Sequence, residues 1–475
     1  MPDKKTKIVL VNPPQEQTGS LEEVSNVIMP LGIAYIAAVL KKNEFNVEIL
    51  DCVPLKISRE ALGEKLKKIN PDILAFTATV LTITNAIKVA NYLKAILPED
   101  TVFVIGGPHF TSLPEKTLEE ACFDFGILGE GEYSFLEFVK TIESGKKKFS
   151  EIKSLVWREN GNVIINERKL PIKNLDEIPY PARELFPSLD FYAPMPGGYK
   201  RLPSAHMITS RGCPYKCTFC DRSVFGNKFR ARTANNVVDE IEVLVKEYGV
   251  KDIKFFDDLF TIDKKRVMRI CDEILNKKID ISWSCSSRVD SVDLELLHKM
   301  KKAGCWMISY GIESGNQVVL DRIKKSITLE QSMQAIKWSK KVGIKTMALI
   351  IIGMPGETKQ SIEDTISFAK KLSTDVVAFY AVMVYPGNEL YEIIKKEGKL
   401  LHENFGSFSC LINSSSSKLH YVPDGLTEDY IKKSISRAYK EFYIRPSYMI
   451  RQLFSIKSMV DIKRFWRGFK AVIKI

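Results

Sequence analysis

Three cysteines stand close together in the chain, at positions 213, 217 and 220, in the pattern C-x3-C-x2-C. Thiolates at this spacing can each bind a different iron of one [4Fe–4S] cube, so Cys213, Cys217 and Cys220 would hold three of its corners. No fourth cysteine lies nearby, which leaves one iron without a protein thiolate. Reactive metal sites need such an open position, as catalytic zinc sites show. The spacing therefore predicts a catalytic iron–sulfur cluster.

Other interpretations of the three cysteines are weaker. A structural zinc site usually has four ligands in two pairs, and the sequence has no second pair. A cluster that only transfers electrons normally has four cysteines. Three unliganded cysteines so close together would be unusual. A non-catalytic iron–sulfur carrier nevertheless stays a rival from another functional class.

The composition is that of a globular protein of two or three domains. The chain has 475 residues, of which 45% are hydrophobic and 27% charged. Its nine cysteines are odd in number and mostly scattered, unlike a secreted disulfide framework. The longest apolar runs, such as Met347–Ile352 and Val376–Val384, are strand-sized and too short to cross a bilayer. The apolar run Ile8–Val11 is too short for a signal peptide, so we expect a cytoplasmic protein.

The first 145 residues alternate strand-like and helix-like patterns. We expect helices between five buried strands, and this predicts a doubly wound, Rossmann-like α/β domain over residues 1–145. The expected strands are Lys7–Asn12, Val47–Asp51, Ile73–Thr77, Val102–Ile105 and Phe125–Leu128.

Residues 146–200 break this alternation. Val156–Ile164 reads as a hairpin with an Asn-Gly turn at Asn160 and Gly161. Five prolines follow between residues 179 and 196. We interpret residues 146–200 as a linker that contains a β-hairpin.

The alternation returns over residues 201–390, where six βα units predict a partial (β/α)6 TIM-like barrel. The cysteine cluster directly follows the first of its strands, at the edge where barrel enzymes place their sites. The expected strands are His206–Ser210, Ile253–Phe256, Ser282–Cys285, Met307–Tyr310, Thr346–Ile352 and Val376–Val384.

Residues 391–475 are expected to form a basic helical region. Residues 431–475 hold twelve lysines or arginines and two acids, so most of the net charge of +12 lies there. From Phe442 onwards, basic and apolar residues alternate at roughly helical spacing, as in segments that lie on anionic membranes. We favour packing against the barrel, although the segment also allows membrane association and fits an apolar or lipid-like substrate. Nucleic acid is not expected, because little positive charge lies elsewhere.

The signature C-x3-C-x-aromatic-C, with Phe219 as the aromatic, resembles the radical S-adenosylmethionine (SAM) superfamily. The resemblance implies that SAM chelates the fourth iron through its amino acid end. An electron from the cluster then splits the sulfonium, giving methionine and a 5′-deoxyadenosyl radical. The electron would come from an external donor of the flavodoxin or ferredoxin type.

The same resemblance implies SAM contacts at the ends of the barrel strands. Asp257 and Asp258 occupy the place of a Gly-Gly-Glu motif that binds the methionine amine, and this departure leaves their individual roles open. Arg288 would pair with the methionine carboxylate, Glu313 would bind the ribose and Gly353 would contact adenine. Each also has a plain reading as a helix cap or turn residue. The expected SAM contacts are Phe219, Asp257, Asp258, Ser286, Arg288, Glu313 and Gly353.

The N-terminal domain resembles the cobalamin-binding domain that precedes the barrel of many radical SAM enzymes. The phrases 11–14 (VNPP), 30–35 (PLGIAY), 106–109 (GGPH) and 129–132 (GEGE) carry this resemblance. The expected cobalamin contacts are Thr77, Thr79, Gly106, Gly107, Gly129, Glu130 and Gly131. The motif Asp-x-His-x-x-Gly is absent and the loop Pro13–Ser20 has no histidine, so no histidine is expected on the lower face of cobalt. We do not expect His109 to be a ligand, and a degenerate domain that binds nothing stays an alternative.

Together the two resemblances imply a cobalamin-dependent radical SAM enzyme that methylates an unactivated carbon of a small molecule. A non-methylating reaction, such as the oxidative ring closure of the anaerobic chlorophyll-pathway cyclase, is the main rival. A methylthiotransferase is disfavoured, since that group carries three further N-terminal cysteines and this region has only Cys52 and Cys122.

Overall fold

The computed structural model of the chain describes residues 6–14, 27–192, 194, 197–402 and 418–455. Within them the chain forms two α/β units, each built on one large sheet. The first sheet has seven strands in the order β2-β1-β3-β4-β5-β6-β7, and β1 to β5 are parallel. The strands are β1 Lys7–Asn12, β2 Asn46–Asp51, β3 Ile73–Thr77, β4 Val102–Gly106, β5 Phe125–Ile127, β6 Leu155–Glu159 and β7 Asn162–Ile165.

Helices cover both faces of the first sheet, which explains why its central strands are apolar on both sides. On one face Leu10 packs with Ala34 and Phe138, and on the other Phe103 packs with Leu93. This is the predicted doubly wound arrangement. The helices are α1 Leu31–Lys42, α2 Arg59–Ile69, α3 Ile83–Lys94, α4 Pro108–Ser112, α5 Pro114–Glu120 and α6 Gly131–Glu143.

The predicted hairpin forms, but it belongs to the first sheet. Its strand β6 pairs antiparallel with β5, so the sheet continues into the segment expected to be a linker. Asn160 and Gly161 both have positive φ, of 51° and 81°, as a tight two-residue hairpin turn requires. The linker interpretation missed this because strand pairing depends on partners distant in sequence.

The second sheet has six parallel strands in simple sequential order, β8-β11-β12-β13-β14-β15, and does not close. This is the expected partial (β/α)6 barrel, and helices cover its convex face. There Trp283 is fully buried, and its indole N–H donates to the carbonyl of Ala303 at 2.7 Å. The strands are β8 Ser204–Met207, β9 Ser210–Arg211, β10 Arg230–Ala231, β11 Asp252–Phe255, β12 Ser282–Ser287, β13 Cys305–Glu313, β14 Lys345–Ile352 and β15 Val376–Ala381. The helices are α7 Ala234–Tyr248, α8 Lys264–Asn276, α9 Leu294–Lys302, α10 Gln317–Arg322, α11 Leu329–Lys341, α12 Lys359–Leu372, α13 Glu389–Lys396, α14 Glu428–Tyr443 and α15 Pro446–Ser455.

Helix α14 packs along β15, the edge strand of the barrel sheet, and two of its tyrosine hydroxyls bond the backbone of that strand. Tyr443 Oη accepts from the backbone N–H of Val377 at 3.0 Å and donates to its carbonyl at 2.8 Å. One helical turn earlier, Tyr439 makes the same pair of bonds to Phe379, both at 3.1 Å. Because an edge strand otherwise leaves these groups unpaired, the two hydroxyls substitute for a neighbouring strand.

Part of the basic C-terminal segment packs against the barrel, as predicted. Phe442 is fully buried in the barrel core, and Tyr448 donates to the carbonyl of Asp375 at 3.1 Å. The rest of the segment, residues 456–475, lies outside the described residues. Over the part of the chain that the structure covers, no helix combines the length and apolarity needed to span a bilayer.

A buried ion-pair network joins the two units, and we call it the interdomain clamp. Arg211 of β9 donates to Glu130 at 2.8 Å and to Glu132 at 2.6 Å, and Arg230 of β10 binds Glu130 at 2.9 Å. The side chains of Arg211, Glu130 and Glu132 are 4%, 5% and 6% exposed. The Arg211 guanidinium also lies over the ring of Tyr35, 5.2 Å from its centre. Each of these charged groups is buried beside its partner from the other unit. Because a buried charge without its partner is costly, the pairs favour one relative orientation of the two units.

The tyrosine edge can be tested by hydrogen exchange. Tyr443→Phe removes both partners of Val377 and should lower the local opening free energy of β15 by about 1–3 kcal/mol. The amide of Val377 should then exchange faster, whereas amides of the central strand β12 keep their rates. Tyr430→Phe is the matched control, since that tyrosine lies on the same helix but bonds the surface residue Glu363. Unchanged exchange at Val377 in Tyr443→Phe would show that the hydroxyl does not protect the edge.

The interdomain clamp predicts a non-additive effect on stability. Arg211→Met leaves the buried Glu132 carboxylate without a cation and should cost about 3–5 kcal/mol in the free energy of unfolding, measured with urea. The double variant Arg211→Met/Glu132→Gln should lose less than the sum of the single variants. Lys41→Met, which breaks the exposed pair with Glu184, should cost at most about 1 kcal/mol. Additive losses would contradict coupling between Arg211 and Glu132.

Candidate functional site

The cysteine loop begins and ends on a short antiparallel ladder. Strands β9 and β10 pair Arg211 with Arg230, which closes the base of the loop that carries the cysteines. Gly212 has a φ of +83°, and a Cβ there would lie 2.4 Å from the carbonyl oxygen of Lys228. Only glycine fits this position, so the chain turns sharply just before Cys213.

Two aspartates after β11 brace this base. Asp257 accepts from the N–H and hydroxyl of Thr209 and from the hydroxyl of Ser210, all at 2.6 Å. Asp258 accepts from the N–H of Gly212 at 3.0 Å. Asp257 is buried with both oxygens engaged, whereas Asp258 is exposed. Asp257 therefore positions the base of the loop. Asp258 is the better candidate of the two to bind the ammonium group of methionine.

The three cysteines share one loop and lie close enough to affect each other's charge. The Cys220 thiol is influenced electrostatically by both Cys213 and Cys217. Cys217 is buried, Cys213 half-buried and Cys220 exposed. In the described residues, no three His, Cys, Asp or Glu side chains converge tightly enough for a single metal ion.

The part of the loop between Cys217 and Cys220 is attached to the barrel and to α13. The backbone of Thr218 accepts from the N–H of Leu390 at 2.9 Å and donates to the carbonyl of Ile323 at 3.1 Å. Asn388 donates to the carbonyl of Phe219 at 2.9 Å. These bonds fix the segment that separates Cys217 from Cys220.

Arg288, expected to bind the methionine carboxylate, retains a free donor. Its Nε and Nη2 bind Asp290 at 2.9 and 2.8 Å, and its guanidinium lies 3.6 Å from the ring centre of Tyr215 in the cysteine loop. Nη1 is buried and has no hydrogen-bond partner among the described residues. Because Nη1 is a buried donor beside the cysteine loop, a carboxylate ligand could supply the acceptor that it lacks.

Glu313 lies in the site but already has a partner. Its Oε1 accepts from Lys325 at 2.7 Å, and both side chains are buried. A Cβ at Gly311 would lie 2.5 Å from that Oε1, so the glycine makes room for the pair. Lys325 also lies 6.0 Å from the ring centre of Phe219, which links Glu313 to the cysteine loop.

The turn after β14 contains a buried carboxyl group. The N–H groups of Gly353 and Met354 donate to Glu357 Oε2 at 2.5 and 3.0 Å. Burial raises the pKa of Glu357 to about 7, against the opposing effect of the two N–H donors. Its Oε1 is buried without a partner among the described residues. A group with an N–H donor, such as an amino-substituted ring, would fit here.

The candidate cobalamin residues follow adjacent strands of the first sheet. Ala78, between Thr77 and Thr79, donates its N–H to the carbonyl of Gly106 at 3.1 Å. A Cβ at Gly107, whose φ is +101°, would lie 2.7 Å from the carbonyl of Ala78. Small residues and close backbone contact suit a large flat ligand. Most of the loop Pro13–Ser20 lies outside the described residues, and so does that part of the prediction.

Gly129 and Glu130, which were expected to contact cobalamin, lie against side chains of the protein itself. Glu130 is engaged by Arg211, Arg230 and the N–H of Ile172, which leaves its carboxylate no freedom to face a ligand. A Cβ at Gly129 would lie 2.8 Å from the Arg168 guanidinium. Gly131 begins α6, and His109 is buried with its pKa lowered to about 4 by burial.

Sequence reasoning missed several residues of the site. Arg211 and Arg230 were not singled out, although Arg211 directly precedes the Gly-Cys step of the motif. Lys325 was also missed, and in the turn that contains Glu357 only Gly353 was singled out. Only the fold brings Lys325 to Glu313, so no local pattern could have identified that pair.

Comparisons with known proteins agree with this geometry. The family model for the B12 binding domain matches residues 18–139, and that for the Radical SAM superfamily matches residues 207–369. An uncharacterized methyltransferase of Pyrococcus horikoshii is 36% identical over 471 residues, 99% of each chain. The anaerobic magnesium-protoporphyrin IX monomethyl ester cyclase of Rubrivivax gelatinosus is 30% identical over 393 residues, which are 81% of this chain and 69% of the cyclase.

Two solved structures share the fold. The radical SAM methyltransferase TsrM from Kitasatospora setae, with cobalamin and a [4Fe–4S] cluster bound, has a TM-score of 0.72 at 17% identity and covers 93% of this chain and 90% of its own. The cobalamin-dependent radical SAM enzyme OxsB, with aqua-cobalamin and SAM bound, has a TM-score of 0.73 at 17% identity, covering 98% and 71%. The two family models and the relative from Pyrococcus show that this chain belongs to the family of radical SAM enzymes that carry an N-terminal B12-binding domain.

Proposed function

We propose that this enzyme uses a [4Fe–4S] cluster, SAM and cobalamin to methylate an unactivated carbon of a small molecule. The observation that carries the proposal is the interdomain clamp, which fixes the cysteine loop against the loop after β5 of the B12-binding domain. When bound, the cluster with SAM would supply a hydrogen-abstracting radical, and methylated cobalamin would supply the methyl group. Both must reach one substrate, so the two units have to be held together.

The residues of the chain bind and position the reactants. Cys213, Cys217 and Cys220 would hold three irons, and Gly212 and Asp258 fix the start of their loop. Arg288 Nη1 would donate to the carboxylate of SAM.

The loops after β3, β4 and β5 would receive cobalamin through their backbones. Contacts across the interface bring these loops to the cysteine loop. Ser112, at the end of α4, lies 3.0 Å from the hydroxyl of Ser223, and Arg168 donates to the carbonyl of Val224 at 3.2 Å. A substrate between the two cofactors would therefore lie at the boundary between the units.

Part of the barrel lining supports the apolar substrate that the sequence suggested. Met347, Leu349 and Ile351 alternate along β14 with the fully buried residues of its convex face and are themselves only half-buried. Their side chains therefore point to the concave side. A hydrophobic part of a substrate could pack there, with reducing equivalents from an external flavodoxin- or ferredoxin-type donor.

Oxidative ring closure is the second candidate function. The similarity to the Rubrivivax cyclase favours it, because that relative reaches 30% identity over 81% of this chain. The cysteine loop serves both reactions, since each begins with hydrogen abstraction. They differ in whether a methyl group enters the product.

The cluster assignment is tested by replacing each cysteine. The chain reconstituted without oxygen should bind four irons and release 5′-deoxyadenosine from SAM when reduced. Cys213→Ala, Cys217→Ala and Cys220→Ala should each abolish that release and lower the iron content. Cys122→Ala, at a half-buried cysteine of the first unit, is the matched control and should keep both. Full deoxyadenosine formation in any of the three site variants would rule out the assigned ligand.

Methylation is tested with SAM deuterated in its methyl group. In the presence of cobalamin and a fractionated metabolite extract, the enzyme should place the label first on cobalamin and then in a product, as mass spectrometry would show. Extract incubated with Cys217→Ala serves as the blank. A product that has lost two hydrogens and carries no label would instead establish ring closure.

A further inference from the structure

Three polar side chains form one row across the concave face of the barrel. His206 of β8, Lys254 of β11 and Ser284 of β12 are paired in register on adjacent parallel strands. Paired residues of parallel strands point to the same side. Their neighbours Phe255 and Trp283 belong to the core under the helices, so the row faces the concave side.

The ammonium group of Lys254 lacks an anionic partner among the described residues, where no carboxylate forms a hydrogen bond or an ion pair with it. It lies 5.3 Å from the ring centre of Phe256 and interacts electrostatically with His206. The side chain is half-buried, and burial lowers the pKa of its amine. A desolvated cation without a counter-ion is costly, and a bound anion would remove that cost.

Ser284 independently indicates a ligand at the same place. It is 2% exposed, and its hydroxyl is buried without any partner among the described residues. Two other hydroxyls of β12 are satisfied: Ser282 bonds Asp252, and Ser287 bonds Thr261. Since buried hydroxyls are normally paired, a ligand beside Lys254 would supply the partner that Ser284 lacks.

His206 completes the row as a neutral donor. Its ring stacks on Phe256 with 4.5 Å between ring centres, and burial lowers its pKa to about 3. The imidazole therefore adds a hydrogen-bonding group without a charge. A cation, a hydroxyl and an imidazole on one side of a barrel are donors suited to oxygen anions.

We propose that His206, Lys254 and Ser284 bind an anionic group of the substrate, a carboxylate or a phosphoryl group. The inference rests on the proposed function and makes its substrate class more specific. The anionic end would lie against β8, β11 and β12, and the apolar part along Met347 and Leu349 of β14. The row lies below the strand ends that carry the SAM candidates, so this anchor would set which carbon faces the radical.

Trace reductive methylation of the reconstituted full chain, read by peptide mass spectrometry, tests the site. Formaldehyde and dimethylamine–borane are uncharged and introduce no competing anion. Inorganic phosphate and propionate are added separately, with chloride keeping the ionic strength constant. Labelling of Lys254 should fall with saturable dependence on at least one of them, whereas the exposed Lys251 should label at a constant rate. The anion that protects at lower concentration distinguishes a phosphoryl group from a carboxylate.

Variants of β12 connect the protection to the row. Ser284→Ala should weaken the apparent affinity of the protecting anion by about threefold to tenfold, as expected for one lost hydrogen bond. Ser287→Ala, which removes a hydroxyl already paired on the other face, should leave it unchanged. The proposal is overturned if neither anion protects Lys254, if Ser284→Ala has no effect, or if the reagent cannot reach Lys254 at all. Deoxyadenosine release by the wild type is measured separately, so loss of the proposed function would be recognised independently.

Discussion

The structure depends on a buried arginine that directly precedes the cluster motif. Arg211 is bound by Glu130 and Glu132 of the other unit, and the next residue but one is Cys213. Because a buried charge is costly without its partners, a displacement of the B12-binding domain would also move Arg211 at the base of the cysteine loop. The same interaction therefore stabilises the domain interface and fixes the position of the cluster. A substrate that must meet two cofactors in turn would require such a fixed geometry.

The polar groups of the barrel fall into two classes. Asp257 and Glu313 have their acceptors occupied by neighbouring side chains, and they hold the loop and the strand ends in place. By contrast, Arg288 Nη1, Glu357 Oε1 and Ser284 Oγ are buried without partners among the described residues. Leaving such atoms unpaired costs free energy, so a ligand bound at any of these three positions would remove that cost.

The similarity to both methyltransferases and a cyclase follows from this division. The cysteine loop and its bracing residues serve any reaction that begins with a carbon-centred radical. The outcome depends on what the barrel holds next to that radical, and this is set by the concave face. A site for an anion opposite an apolar strand would orient an amphiphilic molecule. Among the apolar or lipid-like substrates that the C-terminal segment suggested, it would therefore select those with a negatively charged end.

The sequence by itself determined the local elements and predicted which cysteines would bind the cluster. Lys7–Asn12 and Ile73–Thr77 have the predicted limits, because the hydrophobic pattern of a strand acts over a few residues. The tertiary structure alone decided that the hairpin extends the first sheet, that Glu130 binds Arg211 and Arg230, and that Lys254 lies beside Ser284. These relations depend on strand register and domain docking between segments about 30 to 100 residues apart, which no local pattern of residue types specifies.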